Sequence, residues 1–349
     1  MSEFRIDDRI FGPTHPPLVI AEIGVNHDGS VHRALELVAA AAGAGADAVK
    51  LQFFKAHALL HASAAFADYQ KAGTTTETPF DFLKKYELSG EDIRRVVQRI
   101  RELKMIPIAT PFSPADVEMI DALRLPAIKI ASPDLVNRPL LERAAQIKKP
   151  LIVSTGAATL EEIQTTVGWL REWNASFALL HCVSAYPVKN DQAHLGWIDE
   201  LATRFHCPVG YSDHTTSYLS GALSVAAGAC IVERHLTYDR AAKGPDHAAS
   251  SNPGQFERYV KLIREAQDFR GAPGKIVLEI EQDVRLVSRQ SLVLKRSVQP
   301  GTQLKSEDLT VQRPGTGLPA ALITQAVGRT VTRFVPAGSM LQWDMLDAA

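Results

Sequence analysis

Eight short apolar runs recur along the first three quarters of the chain: LVIAEI (18–23), DAVKLQ (47–52), MIPIAT (105–110), AIKIAS (127–132), LIVST (151–155), FALLHC (177–182), PVGYS (208–212) and CIVERH (230–235). Each is nearly continuous in hydrophobicity, the pattern of a parallel strand covered on both faces. Segments of helical spacing separate them. In SGEDIRRVVQRIRELK, Ser89 stands at a cap position and Ile93, Val96, Val97, Ile100 and Leu103 make one apolar stripe. Ser30 likewise opens a helix through LELVAAAA that Gly43 and Gly45 can end. Eight alternations of strand and helix predict an α/β fold, a closed (β/α)8 TIM barrel.

One connection breaks the rhythm. Between Lys55 and Leu88 the chain is unusually long and includes the polar AGTTTETP, which predicts either an active-site lid or rim, or a passive insertion. After the helix-like PGQFERYVKLIREAQDF, the Gly/Pro stretch from Gly271 to Gly274 marks a boundary. The expected organisation is a barrel over 1–270, a linker over 271–290 and a small β-rich domain over 291–349. The last contains an echo of itself, RSVQPGTQLKSEDL (296–309) against RFVPAGSMLQWDML (333–346). Two copies are too few for a repeat array, so they predict two related turns of one domain.

Composition narrows the function classes. Hydrophobic residues make up 46% of the 349 residues and charged ones 22%, as in a fully folded globular protein. A net charge of -1 supplies no global field for a polyanion, so no nucleic acid partner is expected. The opening MSEFRIDDRI lacks an apolar signal core and no stretch approaches a membrane span, which makes no membrane and a cytoplasmic location the expectation. Cys182, Cys207 and Cys230 lack metal-type spacing, sit in or beside apolar runs and are read as buried thiols.

Polar residues at the C-terminal ends of barrel strands point to the active-site mouth. Here they are Glu22 with Asn26, Lys50 with Gln52, Thr110, Lys129 with Ser132 and Asp134, Ser154, Ser184 with Tyr186, Ser212 with His214, and Glu233 with His235. Two lysines and several hydroxyls around one opening suit a phosphate bearing a second acidic group. Alternatively, Lys50 and Lys129 are interior lysines paired with Glu22 and Asp134. His214 and His235 end adjacent strands, so they either share a divalent ion, with Glu233 or Asp246 holding a water, or act as acid/base groups.

These segments resemble the sialic acid synthase family over nearly the whole chain: AEIGVNHDGS, ATPFS, KIAS, VSTG, LHCVSAYP, GYSDHT, ERHLT, KGPDHAAS and, in the tail, VQRPGTG. The tail is similar to that family's antifreeze-like (SAF) domain, which does not by itself imply ice binding. The resemblance implies a transferase that condenses phosphoenolpyruvate with an open-chain N-acetylmannosamine-type sugar and water, giving N-acetylneuraminate or legionaminate plus phosphate. It implies a divalent metal cofactor, Mn2+ or Mg2+, on His214 and His235, with Glu233 reached through water.

By motif, Lys50, Thr110, Lys129, Ser132, Ser154 and Ser212 match phosphoenolpyruvate-binding positions. Glu22 matches an acidic residue beside the reacting carbons, to move a proton or orient water, unless it serves only as the Lys50 partner. Gln52, Asp134, Ser184, Tyr186 and Asp246 match sugar-contacting positions, though Tyr186 could instead be a packing aromatic. Arg313 matches an arginine that reaches the other subunit's site in a domain-swapped homodimer; otherwise it is a solvated surface arginine.

Asp134 stands where N-acetylneuraminate synthases commonly have glutamate, and Ser184 where they commonly have asparagine. Serine at that second position also occurs in legionaminate and pseudaminate synthases, while GPDHAAS resembles the N-acetylneuraminate and legionaminate branches, which are therefore placed ahead of pseudaminate. The competing classes are a Schiff-base aldolase using Lys50 or Lys129, and an inert sugar-binding protein.

Overall fold

In the computed structural model, residues 3–61, 63–64, 78–272 and 274–347 are described. The AGTTTETP stretch, on which the expectation of a lid, a rim or a passive insertion falls, lies almost wholly outside the described residues. The chain divides into two compact units, Met1–Ala272 and Pro273–Ala349.

The first unit opens with a hairpin, β1 (Phe4–Ile6) and β2 (Arg9–Phe11), that the sequence pattern did not reveal. Eight parallel strands follow: β3 (Leu18–Gly24), β4 (Ala48–Phe53), β5 (Ile106–Pro111), β6 (Ala127–Ile130), β7 (Leu151–Ser154), β8 (Phe177–Cys182), β9 (Val209–Asp213) and β10 (Ile231–His235). They close into a barrel as β10 pairs with β3. All eight apolar runs are therefore strands.

Besides two short helical segments after β4, Ala56–Leu59 and Pro79–Lys84, the helices that follow the strands are α1 (Val31–Gly43), α2 (Gly90–Glu102), α3 (Pro114–Ala122), α4 (Arg138–Gln146), α5 (Leu160–Glu172), α6 (Trp197–Phe205), α7 (Ser220–Ala226) and, after β10, α8 (Pro253–Arg270). Ser30 and Ser89 cap α1 and α2 as expected, accepting from the amides of Arg33 and Asp92. In α2, Ile93, Val96, Val97 and Ile100 are buried. Among the described residues no helix is long and apolar enough to cross a membrane.

Strand alternation sorts the core into two layers. Val19, Ala21 and Ile23 on β3, Val49 and Leu51 on β4, and Val153 on β7 belong to the cluster shared with the helices. The intervening Leu18, Ile20, Ala48, Ile108, Ala127, Ile152, Ala178 and Ile231 form a separate cluster inside the barrel, joined by Phe4, Ile6 and Phe11 of the hairpin. On β9 the interior position is Gly210, where an added Cβ would lie 2.4 Å from the Ile231 carbonyl oxygen. Only glycine lets that strand approach so closely. The inward positions nearer the strand C-termini are polar, and they build the site.

The second unit pairs β11 (Ser291–Leu294) with β12 (Leu309–Gln312) in an antiparallel sheet around a core that includes Leu292, Val298, Leu304, Val335 and Leu341. The sequence echo is a structural repeat. Val298 and Val335 exchange both backbone hydrogen bonds, Gly301 N donates to Val331 O as Gly338 N does to Leu294 O, and Lys295 N donates to Asp308 O as Thr332 N does to Met345 O. Gly301 and Gly338 hold matching turns at φ +84 and +82. The two copies thus relate as an internal two-fold pair. Of the span 271–290, expected as a linker, the part from Pro273 onward falls within this unit and includes a short helix, Gln282–Ser288.

Candidate active site

At the C-terminal end of the barrel interior, four charged side chains from four strands meet. Lys50 Nζ lies 3.0 Å from Glu22 and 3.3 Å from Glu233, while Lys129 Nζ lies 3.6 Å from the same Glu233 oxygen; all four are buried. Lys129 thus pairs with Glu233 rather than with Asp134, because inward residues meet across the barrel rather than along the chain. Burial alone would lower the Lys50 ammonium, but Glu22 and Glu233 reverse this and hold it above its ordinary value. Lys129 is brought down to about 8 by burial, with Glu233 opposing. Burial pushes the Glu22 carboxyl up to about 7 against the pull of Lys50, with Glu233 adding to the push. Glu233, whose burial would raise it, is drawn down to about 2 by Lys129 and Lys50. The result is a carboxyl that can exchange a proton near neutrality beside one firmly held cation, Lys50, and a second, Lys129, whose hold on its proton is loosened by burial.

Hydroxyls complete this half of the site. Lys129 donates to Ser154 Oγ at 2.7 Å, Ser212 Oγ donates to Glu233 at 3.1 Å, and the Gly156 amide donates to Ser132 Oγ at 3.0 Å. A Cβ at Gly156 would fall 2.3 Å from Ser184 Oγ and 2.8 Å from Ser132 Oγ, so glycine keeps the cradle open. Thr110 Oγ1 is buried without a hydrogen-bond partner among the described residues.

Across the cavity stand the histidines, with ring centroids 5.6 Å apart. His214 Nδ1 donates to the Val183 carbonyl oxygen at 2.8 Å; burial would lower the ring, but Cys182 beside it raises it to about 8, so Nε2 offers a lone pair once the ring has lost its proton. His235 is held well below its ordinary value by burial and by the nearby cations of His214 and Lys50, and is neutral. Its buried Nδ1 makes no hydrogen bond among the described residues, with Asp246 Oδ2 3.5 Å away. An orphaned imidazole nitrogen, a second imidazole and a carboxylate are donors that fit a divalent ion. Among the described residues no three such side chains form a complete cage, so water and substrate oxygens would supply the remaining ligands. Tyr186 lies against both rings, 4.1 Å from His214 and edge-on to His235 at 5.9 Å.

A cavity of about 490 Å³ is lined by Lys50, Gln52, Thr110, Lys129, Ser132, Ser154, Ser184, Tyr186, Ser212, His214, Glu233, His235 and Asp246. Glu22 sits directly beneath, its Oε1 accepting from Gln52 Nε2 at 3.0 Å. Asp134 is not in the lining and accepts from Asn137 at the start of α4. Arg313 follows β12 in the second unit. Sequence reasoning missed the apolar wall, formed by Val25, Phe54, Leu59, Leu83 and Phe112. Phe54 and Phe112 follow β4 and β5, and their position just past a strand end was the available signal. All three cysteines are free and buried, and Cys182 joins the cavity wall.

The sequence model of the NeuB family matches residues 37–275, and that of the SAF domain residues 289–347. The chain belongs to the NeuB family. This NeuB protein is 37% identical to the N,N'-diacetyllegionaminic acid synthase of Legionella pneumophila, over 95% of this chain and 94% of the other. It is 30% identical to the human N-acetylneuraminate-9-phosphate synthase, over 97% and 95%. Among solved structures, the N-acetylneuraminic acid (sialic acid) synthetase of Leptospira borgpetersenii in complex with citrate superimposes with a TM-score of 0.74 and 30% identity, covering 81% of this chain and 95% of that one. As a member of the family of sialic, legionaminic and pseudaminic acid synthases, the NeuB protein is an enzyme of carbohydrate biosynthesis.

Proposed function

We propose that the protein condenses phosphoenolpyruvate with an open-chain 2-acetamido mannose-type aldehyde and water, releasing phosphate and a nine-carbon 2-keto acid. The observation that carries this reading is one cavity with two chemically distinct halves: two buried lysines with four hydroxyls on one side, two histidines with Asp246 on the other. The lysine half suits the phosphate and carboxylate of phosphoenolpyruvate. The histidine half suits a divalent ion, Mn2+ or Mg2+, and the chemistry such an ion supplies there is polarisation of the aldehyde oxygen.

The methylene carbon of phosphoenolpyruvate forms the new bond to the aldehyde carbon, whose oxygen takes the proton of Glu22, poised for exchange at about 7. Water captures the cationic C2 and returns a proton to the Glu22 carboxylate. The C–O bond then breaks with its electron pair on phosphate, which takes the C2 hydroxyl proton and leaves the keto acid. Lys50, held charged between two carboxylates, is unsuited to the nucleophilic role of a Schiff-base aldolase.

For the acceptor we favour the 4-acetamido-6-deoxy analogue of N-acetylmannosamine, giving a legionaminate, ahead of N-acetylmannosamine itself. The higher identity to the Legionella protein and the short Ser184 in the cavity wall support this order. Phosphate release with a panel of acceptors tests it. The expected result is a kcat/KM at least about tenfold higher for the legionaminate acceptor, a margin typical of one or two polar contacts. The reverse ranking moves the product to N-acetylneuraminate, turnover of the pseudaminate acceptor alone moves it to that branch, and no release with any acceptor rejects the condensation.

We further place the enzyme in the cytoplasm as a homodimer in which Arg313 of one subunit serves the other's site. The motif match of VQRPGTG supports this. Mixing Arg313→Ala with Lys50→Ala chains should then restore activity, and none in verified mixed dimers rejects the sharing.

A further inference from the structure

Behind the two histidines, on the opposite face of the same strands, lies a buried ion pair that the reaction does not touch. Asp213 and Arg234 are register partners on β9 and β10. Each is followed directly by one of the histidines. Arg234 Nη1 lies 3.0 Å from Asp213 Oδ2, with side-chain exposures of 3% and 0%.

The pair is saturated with hydrogen bonds. Asp213 Oδ2 also accepts from Tyr259 Oη at 2.7 Å and from Ser220 Oγ, while Oδ1 accepts from the Thr215 amide at 2.8 Å. The guanidinium donates to the carbonyls of Thr215 and Ser217 at 2.9 and 2.6 Å and through Nε to Ser251 Oγ at 2.7 Å. Tyr259 also packs its ring under the guanidinium at 4.3 Å.

The bonded groups bracket the histidines. Asp213 and Thr215 are the residues on either side of His214, and both backbone groups of Thr215 are held by the pair. Ser251, held through its hydroxyl, donates its amide to the His235 carbonyl at 2.9 Å. We infer that Arg234 and Asp213 are positioning residues that index the two strand ends to each other and thereby set the spacing of the His214 and His235 rings. A planar guanidinium with several donors can bridge four acceptors at fixed angles, which a lysine ammonium cannot.

This inference rests on the assignment of the histidines to the site, and its test separates it from the metal reading. Arg234→Lys keeps the charge opposite Asp213 but loses the fork. In the metal-free full-length variant, imidazole 15N spectra should show shifted His214 and His235 signals and unmoved His181 and His206 signals. Mn2+ affinity, measured by electron paramagnetic resonance, should fall about 10- to 100-fold, the usual effect of removing the support of a metal ligand. kcat should fall while KM for phosphoenolpyruvate stays nearly constant, since most of its proposed contacts lie on β4–β7.

Should Arg234→Lys fail to fold, Tyr259→Phe keeps the ring and removes one donor to Asp213. It should move the same two imidazole signals by a smaller amount. Unchanged His214 and His235 signals in a folded variant overturn the inference. Absence of Mn2+ binding by the wild-type protein overturns the metal reading instead, and leaves the imidazole spectra to decide the positioning.

Discussion

The two ends of the barrel interior are built on the same strands and obey the same alternation, yet they hold opposite chemistry. At the N-terminal end Leu18, Ile20, Ala48, Ile108, Ala127 and Ile152 pack against Phe4, Ile6 and Phe11. One inward position further along, those strands present Glu22, Lys50, Thr110, Lys129 and Ser154. The lower layer gains its stability from burying apolar surface and closing over it. The upper layer keeps charges out of water at a desolvation cost that their mutual pairing offsets only in part. Stability and chemistry are thus separated by a few ångströms along each strand.

The largest effect that distinguishes the ends is expected from Lys129→Met. Loss of one buried cation from the anion half should lower kcat/KM by about 10³-fold, the upper range for removing one charge-stabilising group. The midpoint of thermal unfolding should fall only slightly, because Glu233 loses one of its two cations but keeps Lys50 at 3.3 Å. A variant that loses several kcal/mol of stability along with activity would show that the upper layer also holds the barrel together.

Phe11→Ala is the mirror experiment and should be somewhat smaller. Removing a fully buried ring from the lower plug should cost about 3 kcal/mol in chemical unfolding, with kcat/KM of the folded fraction unchanged. A large kinetic defect in folded protein would mean that the plug transmits its packing to the site.

The smallest effect sharpens the upper layer alone. Glu22 sits at about 7 in the folded protein against an ordinary 4.5. The folded state therefore holds this proton where the unfolded chain has released it. The stability contribution is fully present below pH 4.5, declines as pH rises between 4.5 and 7, and levels off above. Glu22→Gln should remove this decline, so that the variant's advantage in metal-free unfolding experiments grows across that window. A constant difference would place Glu22 near its ordinary value.

Much of this was legible in the residues. The eight apolar runs, the caps at Ser30 and Ser89, the buried thiols and the two-copy tail all appear as read, because each depends on neighbours along the chain. Most of the polar strand-end residues do line one cavity. The hairpin of Phe4–Ile6 and Arg9–Phe11 escaped notice because two three-residue strands among charges carry too little periodicity. Asp134 was grouped with the sugar contacts by motif, whereas its carboxylate bonds Asn137.

Sequence by itself determined the barrel, its closing partner domain and the family, since period, caps and ordered motifs are properties of consecutive residues. Only the tertiary structure decided that Glu233 is the carboxylate shared by Lys50 and Lys129, that Tyr186 lies on His214, and that Arg234 and Asp213 stand behind both histidines. Those relations run across the barrel between strands far apart in sequence, where distance is set by closure of the sheet and carries no signature in the spacing of residues.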